Sequence, residues 1–125
     1  MTEDDSAPPL SDGEHPAREL FDLLGRAHAI AILYYVTRRE DRAWRFTELQ
    51  SELDVSPNTL SNRLEELTAA GLLERRSYDE IPPRVEYRAT TKARELSPVF
   101  AELRDWAERH WPEAKEGFEG HDGSE

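Results

Sequence analysis

Ser56, Asn58, Thr59, Ser61, Asn62 and Arg63 fall within eight consecutive residues. Five carry short hydroxyl or carboxamide groups and the sixth a guanidinium. These groups can hydrogen-bond base edges and phosphates in the major groove of duplex DNA. Asn58 and Asn62 are four apart, so on a helix they share a face and suit bidentate contact with adenine; a solvated polar face fits the same pattern. Arg63 has two readings, a phosphate or guanine contact or an ion pair with Glu66 at i+3. A second basic set follows at Arg75, Arg76, Arg84 and Arg88. Arg84 and Arg88 share one strand face with Glu86 between them, which suits contact with a phosphate backbone or a self-neutralising solvated strand. Arg75 and Arg76 point to opposite faces, so at most one can act in the same way.

The elements that must hold these groups can be read from the neighbouring residues. Ser56 can cap a helix with its hydroxyl, and Pro57 suits the first helical position. Leu60, Leu64 and Leu67 form one apolar face, and Gly71 is a C-terminal stop. A helix over 57–70 is therefore expected. Before it, Phe46–Gln50 reads as a helix start, with Thr47 and Gln50 in a capping-box pattern, and Leu49 and Leu53 make a short seam. Asp54–Ser56 is a brief connection, and two short helices so joined make a helix-turn-helix.

Upstream, helical patterning begins at Pro16 with Leu20, Leu23 and Leu24, and Gly25 breaks the run. A second helix over Ala27–Arg38 is apolar on most faces and is expected at the centre of the core. Glu40–Trp44 reads as a polar loop. Downstream the period changes to two: Leu72–Tyr78 and Arg84–Thr90 read as strands, joined by the stiff Asp79–Pro83 tip. The predicted wing spans 73–90. A last helix, capped by Thr90 or Thr91 and effectively starting near Ser97 because of Pro98, runs to Pro112. Its Leu96, Val99, Phe100, Leu103, Trp106 and His110 recur at close to heptad spacing, too apolar for one small domain to cover. Trp106 and Trp111 suit a dimer seam better than a ligand pocket. The fold class is therefore mainly α with a small β-hairpin (α+β), a winged helix-turn-helix.

Length and composition narrow the function. The 125 residues suit one domain with a modest core. Residues 1–15 and 112–125 each hold five acids, against no lysine or arginine and one lysine respectively. These two tails, expected to be disordered, carry −9 of the net −11, and the 16–111 domain only −2. Residues 63–94 hold seven basic side chains against six acidic ones. With no cysteine there is no disulfide, thiolate nucleophile or Cys-based metal site. His15, His28, His110 and His121 are scattered, so no metal site is read. No nucleophile–base–orienter set and no phosphate loop is present, so neither catalytic residues nor a cofactor is expected. There is no apolar run of membrane-spanning length and no signal-like N-terminus, so a cytoplasmic location is expected. High acid content with only two lysines suggests adaptation to a salt-rich cytoplasm.

The chain resembles the HxlR-type winged helix-turn-helix transcriptional regulators, a branch near the MarR-like proteins. The resemblance rests on FTEL at Phe46–Leu49, SPNTLSNRL at Ser56–Leu64, AGLL at Ala70–Leu73, YDEIPPRVEY at Tyr78–Tyr87, TTK at Thr90–Lys92, and the LSPV-initiated helix from Leu96 to Trp106. It covers about Pro16–Trp111. It implies a homodimer held by the N- and C-terminal helices, with Leu20, Leu24, Leu96, Val99, Phe100, Leu103, Trp106 and His110 at the seam. It also implies that the 57–70 helix enters the major groove of double-stranded DNA at a promoter inverted repeat, with the wing on the backbone. Ser56, Asn58, Thr59, Ser61, Asn62 and Arg63 would face DNA, and Arg75, Arg76, Arg84 and Arg88 would lie on or beside the wing.

Three positions depart from the family pattern. His15 stands where some members carry a sensing cysteine, so thiol sensing is excluded on this chain. Ala93 replaces a usual glycine, and Arg26–His28 replace a usual Gly-Lys-Trp. A small-molecule effector would find room between the second helix and the seam, but no residue set names one. The alternative function is a winged helix that binds proteins without touching DNA, which the acidic total favours.

Overall fold

The computed structural model describes His15–Pro112. Apart from His15 and Pro112 themselves, the acidic tails expected over 1–15 and 112–125 lie outside the described residues. Helix α1 (Pro16–Leu24) starts on a proline, and His15 Nδ1 accepts the Ala17 N–H at 3.0 Å. It stops at Gly25. Helix α2 (Ala29–Arg38) begins two residues later than expected, because His28 takes a left-handed φ of 70° and cannot continue a helix. The two helices meet at a bend of 93°. Among the described residues no single helix is long and apolar enough to cross a membrane.

α2 is the central element, as its composition predicted. Ala29, Ile32, Leu33 and Val36 are fully buried. Thr37, also buried, meets its hydroxyl's need by donating to the Leu33 carbonyl at 2.7 Å. The helix packs against α1, the strand Arg84–Ala89 and the helices Phe46–Leu53, Thr91–Arg94 and Ser97–His110.

Strand β1 (Trp44–Arg45) was not expected. At two residues it is too short to show alternation, and the polar run before it reads as loop. Helix α3 (Phe46–Leu53) follows directly. Its start corrects the capping-box expectation: Arg45, not Thr47, is the N-cap, and Glu48 accepts the Arg45 N–H at 3.0 Å. Thr47 already lies inside the helix. Asp54 takes a left-handed φ of 53°, which turns the chain into helix α4 (Pro57–Ala69).

The start and stop of α4 follow from its sequence. Ser56 Oγ accepts the Thr59 N–H at 3.2 Å, and Pro57 occupies the first turn. At the other end Gly71 has φ 81°, the Gly71 N–H reaches the Thr68 carbonyl and the Leu72 N–H the Leu67 carbonyl, each at 3.0 Å. These two bonds are the Schellman pattern. Leu60, Leu64 and Leu67 are fully buried, each contributing about 1.5–3 kcal/mol.

Strands β2 (Leu73–Tyr78) and β3 (Arg84–Ala89) form the hairpin, and β1 adds to the far side of β3 in the antiparallel order β1-β3-β2. Each strand is one residue shorter than expected at the open end. Thr90 leaves the ladder to cap helix α5 (Thr91–Arg94), accepting the Ala93 N–H and donating to the Gly71 carbonyl at 2.7 Å. Helix α6 (Ser97–His110) then begins where Pro98 requires. The result is an α+β winged helix-turn-helix.

Candidate nucleic-acid interface

With its leucines inward, α4 exposes Asn58, Ser61, Asn62 and Glu65 to solvent. Ser56 and Thr59 are engaged at the cap: besides accepting the Thr59 N–H, the Ser56 hydroxyl donates to Thr59 Oγ1 at 3.0 Å. The neutral members of the expected polar face, Asn58, Ser61 and Asn62, are therefore exposed, and Glu65 adds an acid beside them.

Arg63 departs from the expected face. Its Nε donates to the Ala27 carbonyl at 3.0 Å and its Nη1 to Glu66 at 2.7 Å, with the side chain only 16% exposed. Of the two readings, the structure takes the ion pair, and it adds a carbonyl 36 residues upstream that helix periodicity cannot reveal. The outward face of α4 consequently has no free cation.

The four wing arginines separate by face. Arg75 stands opposite Tyr87 on the side facing the helices. Among the described residues it has no acid or hydrogen-bond partner. On the other side, Arg84 sits 4.0 Å over the Tyr78 ring and pairs with Glu80 at 3.2 Å and Glu86 at 3.4 Å. Arg76 lies over the same ring at 5.4 Å, and Arg88 reaches the Glu40 carbonyl at 3.4 Å.

Between α4 and the hairpin runs an open groove of about 1220 Å³. Ser61, Glu65 and Thr68 form one wall, and Arg75, Arg84 and the Glu80–Pro83 tip the other. Arg45 and Thr47 close one end. Arg45, Arg75 and Arg84 line it with Glu65 and Glu80, although the Arg84 guanidinium is taken up by Glu80 and Glu86. Arg45 is a groove residue that the sequence reading missed. Its signal was slight: a basic residue three before Glu48, at a cap position normally held by a small polar side chain. Glu48 supports this end. Its carboxylate is held below the ordinary glutamate range by the Arg45 backbone N–H first and then by Arg42 and Arg39, against the opposing effect of burial.

The residues expected at a subunit seam also divide. Val99, Leu103 and Trp106 are 49%, 57% and 45% exposed and form a stripe on α6. Trp106 stacks on His110 at 4.3 Å and meets Trp111 edge-on at 5.3 Å. Leu20, Leu24 and Leu96 are half-buried. Phe100 leaves the group: it is 8% exposed and belongs to the chain's own core, so it has almost no surface left to offer. Phe21, not grouped with them, is half exposed on α1.

Comparison with known proteins agrees with this architecture. An HTH-type transcriptional regulator of Halalkalibacterium halodurans is 40% identical over 85 residues, spanning 67% of this chain and 74% of the relative. The transcriptional regulator YtfH of Salmonella typhimurium superposes with a TM-score of 0.71 at 30% identity, covering 90% of this chain and 99% of that one. The reduced form of the Bacillus subtilis transcriptional regulator YodB gives 0.66 at 31% identity, covering 76% and 92%. Residues 23–115 match the sequence model of the HxlR-like helix-turn-helix, and the chain belongs to that family.

Proposed function

We propose that this protein is a DNA-binding transcriptional regulator that acts as a homodimer on a promoter inverted repeat. The observation that carries the reading is the outward face of α4. Asn58, Ser61 and Asn62 project from a helix whose leucines are locked in the core, beside a groove that holds Arg75, which has no acid partner among the described residues. The carboxamides would read base edges, while Arg75 and Arg45 would hold the phosphate backbone. The apolar stripe of α6, with α1, would join the subunits so that two α4 helices enter the major groove about one helical turn apart. Relatives named as HTH-type transcriptional regulators support the same assignment.

The test is a fluorescence-polarisation titration against the DNA upstream of the protein's own gene and against random duplex, at several salt concentrations. Preference for the upstream duplex that persists as salt rises supports the proposal; equal, weak binding to both removes it. A second reading, a winged helix that binds a protein partner, is favoured by one observation: the outward face of α4 carries Glu65 and no free cation. Absence of duplex binding at every salt concentration would favour that reading.

A further inference from the structure

The Arg63 guanidinium bridges two parts of the chain. It bonds the Ala27 carbonyl in the α1–α2 turn through Nε and the Glu66 carboxylate through Nη1. The other oxygen of Glu66 lies 3.5 Å from Arg26, in the same turn. Two bonds therefore run from α4 to residues 26–27, next to the left-handed His28 where the 93° bend is made. A planar fork suits this bridge, because two donors in fixed geometry can hold a carbonyl and a carboxylate together. Nε and Nη1 are committed to these bonds, and the side chain is only 16% exposed.

We infer that Arg63 is a positioning residue: with Glu66 and Arg26 it fastens α4 to the α1–α2 turn, so that the set of the reading helix follows α1. α1 is also the helix proposed at the subunit seam, so the fastening would carry the arrangement of the dimer to the DNA-facing side. The DNA consequence rests on the proposed function; the fastening itself does not.

Three variants separate this role from direct DNA contact. Glu66 cannot attract a phosphate, and were it near one its neutralisation would strengthen binding. Arg63→Lys keeps a point charge but loses the fork. Upstream-duplex affinity is expected to fall in Arg63→Ala, Arg63→Lys and Glu66→Gln alike, by about tenfold, as for loss of a charged hydrogen bond. The double variant Arg63→Ala/Glu66→Gln should be no weaker than either single one, and the salt dependence should be unchanged. In DNA-free protein, hydrogen exchange at residues 26–29 should quicken in each variant while that of α6 does not. The inference is overturned if Glu66→Gln binds as wild type while Arg63→Ala lowers the log–log salt slope by about 0.9, the signature of one lost phosphate contact. It is equally overturned if Arg63→Ala relaxes preference at a single base position, or if exchange in the turn is unaltered. Should wild type bind no duplex, the proposed function fails, and the exchange measurement still decides the fastening.

Discussion

Trp44 and Tyr87 stand opposite each other across the β1–β3 pair, and the Trp44 indole N–H donates to the Tyr35 carbonyl at 3.2 Å. Tyr35 also meets the indole edge-on at 5.9 Å, and the Arg39 guanidinium lies 3.7 Å from its ring centre. One side chain thus joins the central helix, the short strand and the hairpin. Trp44→Ala is expected to cost about 3–5 kcal/mol, the usual loss for a buried tryptophan. Urea denaturation measures this, and Trp44→Phe should recover much of it. An alanine variant within about 1 kcal/mol of wild type would show that β1 adds little.

Glu48 holds the start of α3 through the Arg45 N–H, with Arg39 at 3.2 Å and Arg42 at 3.4 Å on its two oxygens. Its carboxyl titrates below the ordinary value of 4.5. A carboxylate held low in the folded state binds its proton more readily when unfolded. Its stabilisation is therefore complete above pH 4.5 and fades as pH falls through the lower folded value. Glu48→Gln should lower the melting temperature at neutral pH and flatten the acid limb of the stability profile. Parallel wild-type and variant curves across that limb would assign the acid sensitivity elsewhere.

Much of this fold was legible because local chemistry and tertiary packing agree. Ser56, Pro57, three leucines and Gly71 specify α4 without help, and the Val85, Tyr87, Ala89 alternation specifies β3. What escaped depends on partners far apart in the chain. Arg63 looks outward on helix periodicity until the Ala27 carbonyl is placed beside it. β1 exists only because β3 is there to pair with it. Phe100 shares the apolar repeat of α6, and the position of α2 decides that it turns inward. Strand alternation sets Arg84 beside Glu86 but cannot show that Glu80 also reaches it, or that Arg75 has no acid partner among the described residues.

The two polar contact types should separate in DNA binding. Asn62→Ala is expected to weaken binding to the preferred duplex by about 1–3 kcal/mol and to relax preference at one or two base positions. Arg75→Ala should weaken binding to all sequences alike and reduce the log–log salt slope by about 0.9. Polarisation titrations over a set of single-base variants check both. A uniform loss from Asn62→Ala would remove it from base reading.

Trp106→Glu places a charge in the exposed stripe of α6, where Trp106 is 45% exposed and its replacement need not disturb the core. Light scattering should then report a monomer in place of a dimer. Affinity for the full repeat should fall toward that for a half-site. A variant that remains dimeric would move the seam to the exposed Phe21 side of α1.

A net charge of −11 with two lysines predicts a salt requirement. Screening relieves repulsion among carboxylates, so thermal melting should shift upward as salt is raised from a low-salt buffer. A melting temperature independent of salt would show that the acids are too dispersed to strain the fold.

The absence of a free cation on the outward face of α4 bears on how such a regulator would find its target. Grip on arbitrary duplex comes almost wholly from charge, whereas recognition through carboxamides and hydroxyls is nearly indifferent to ions. On the proposed reading, encounters with the wrong sequence would be brief, with little sliding along the double helix. The ratio of right to wrong occupancy, rather than the strength of either, would then be the quantity that survives a rise in ionic strength.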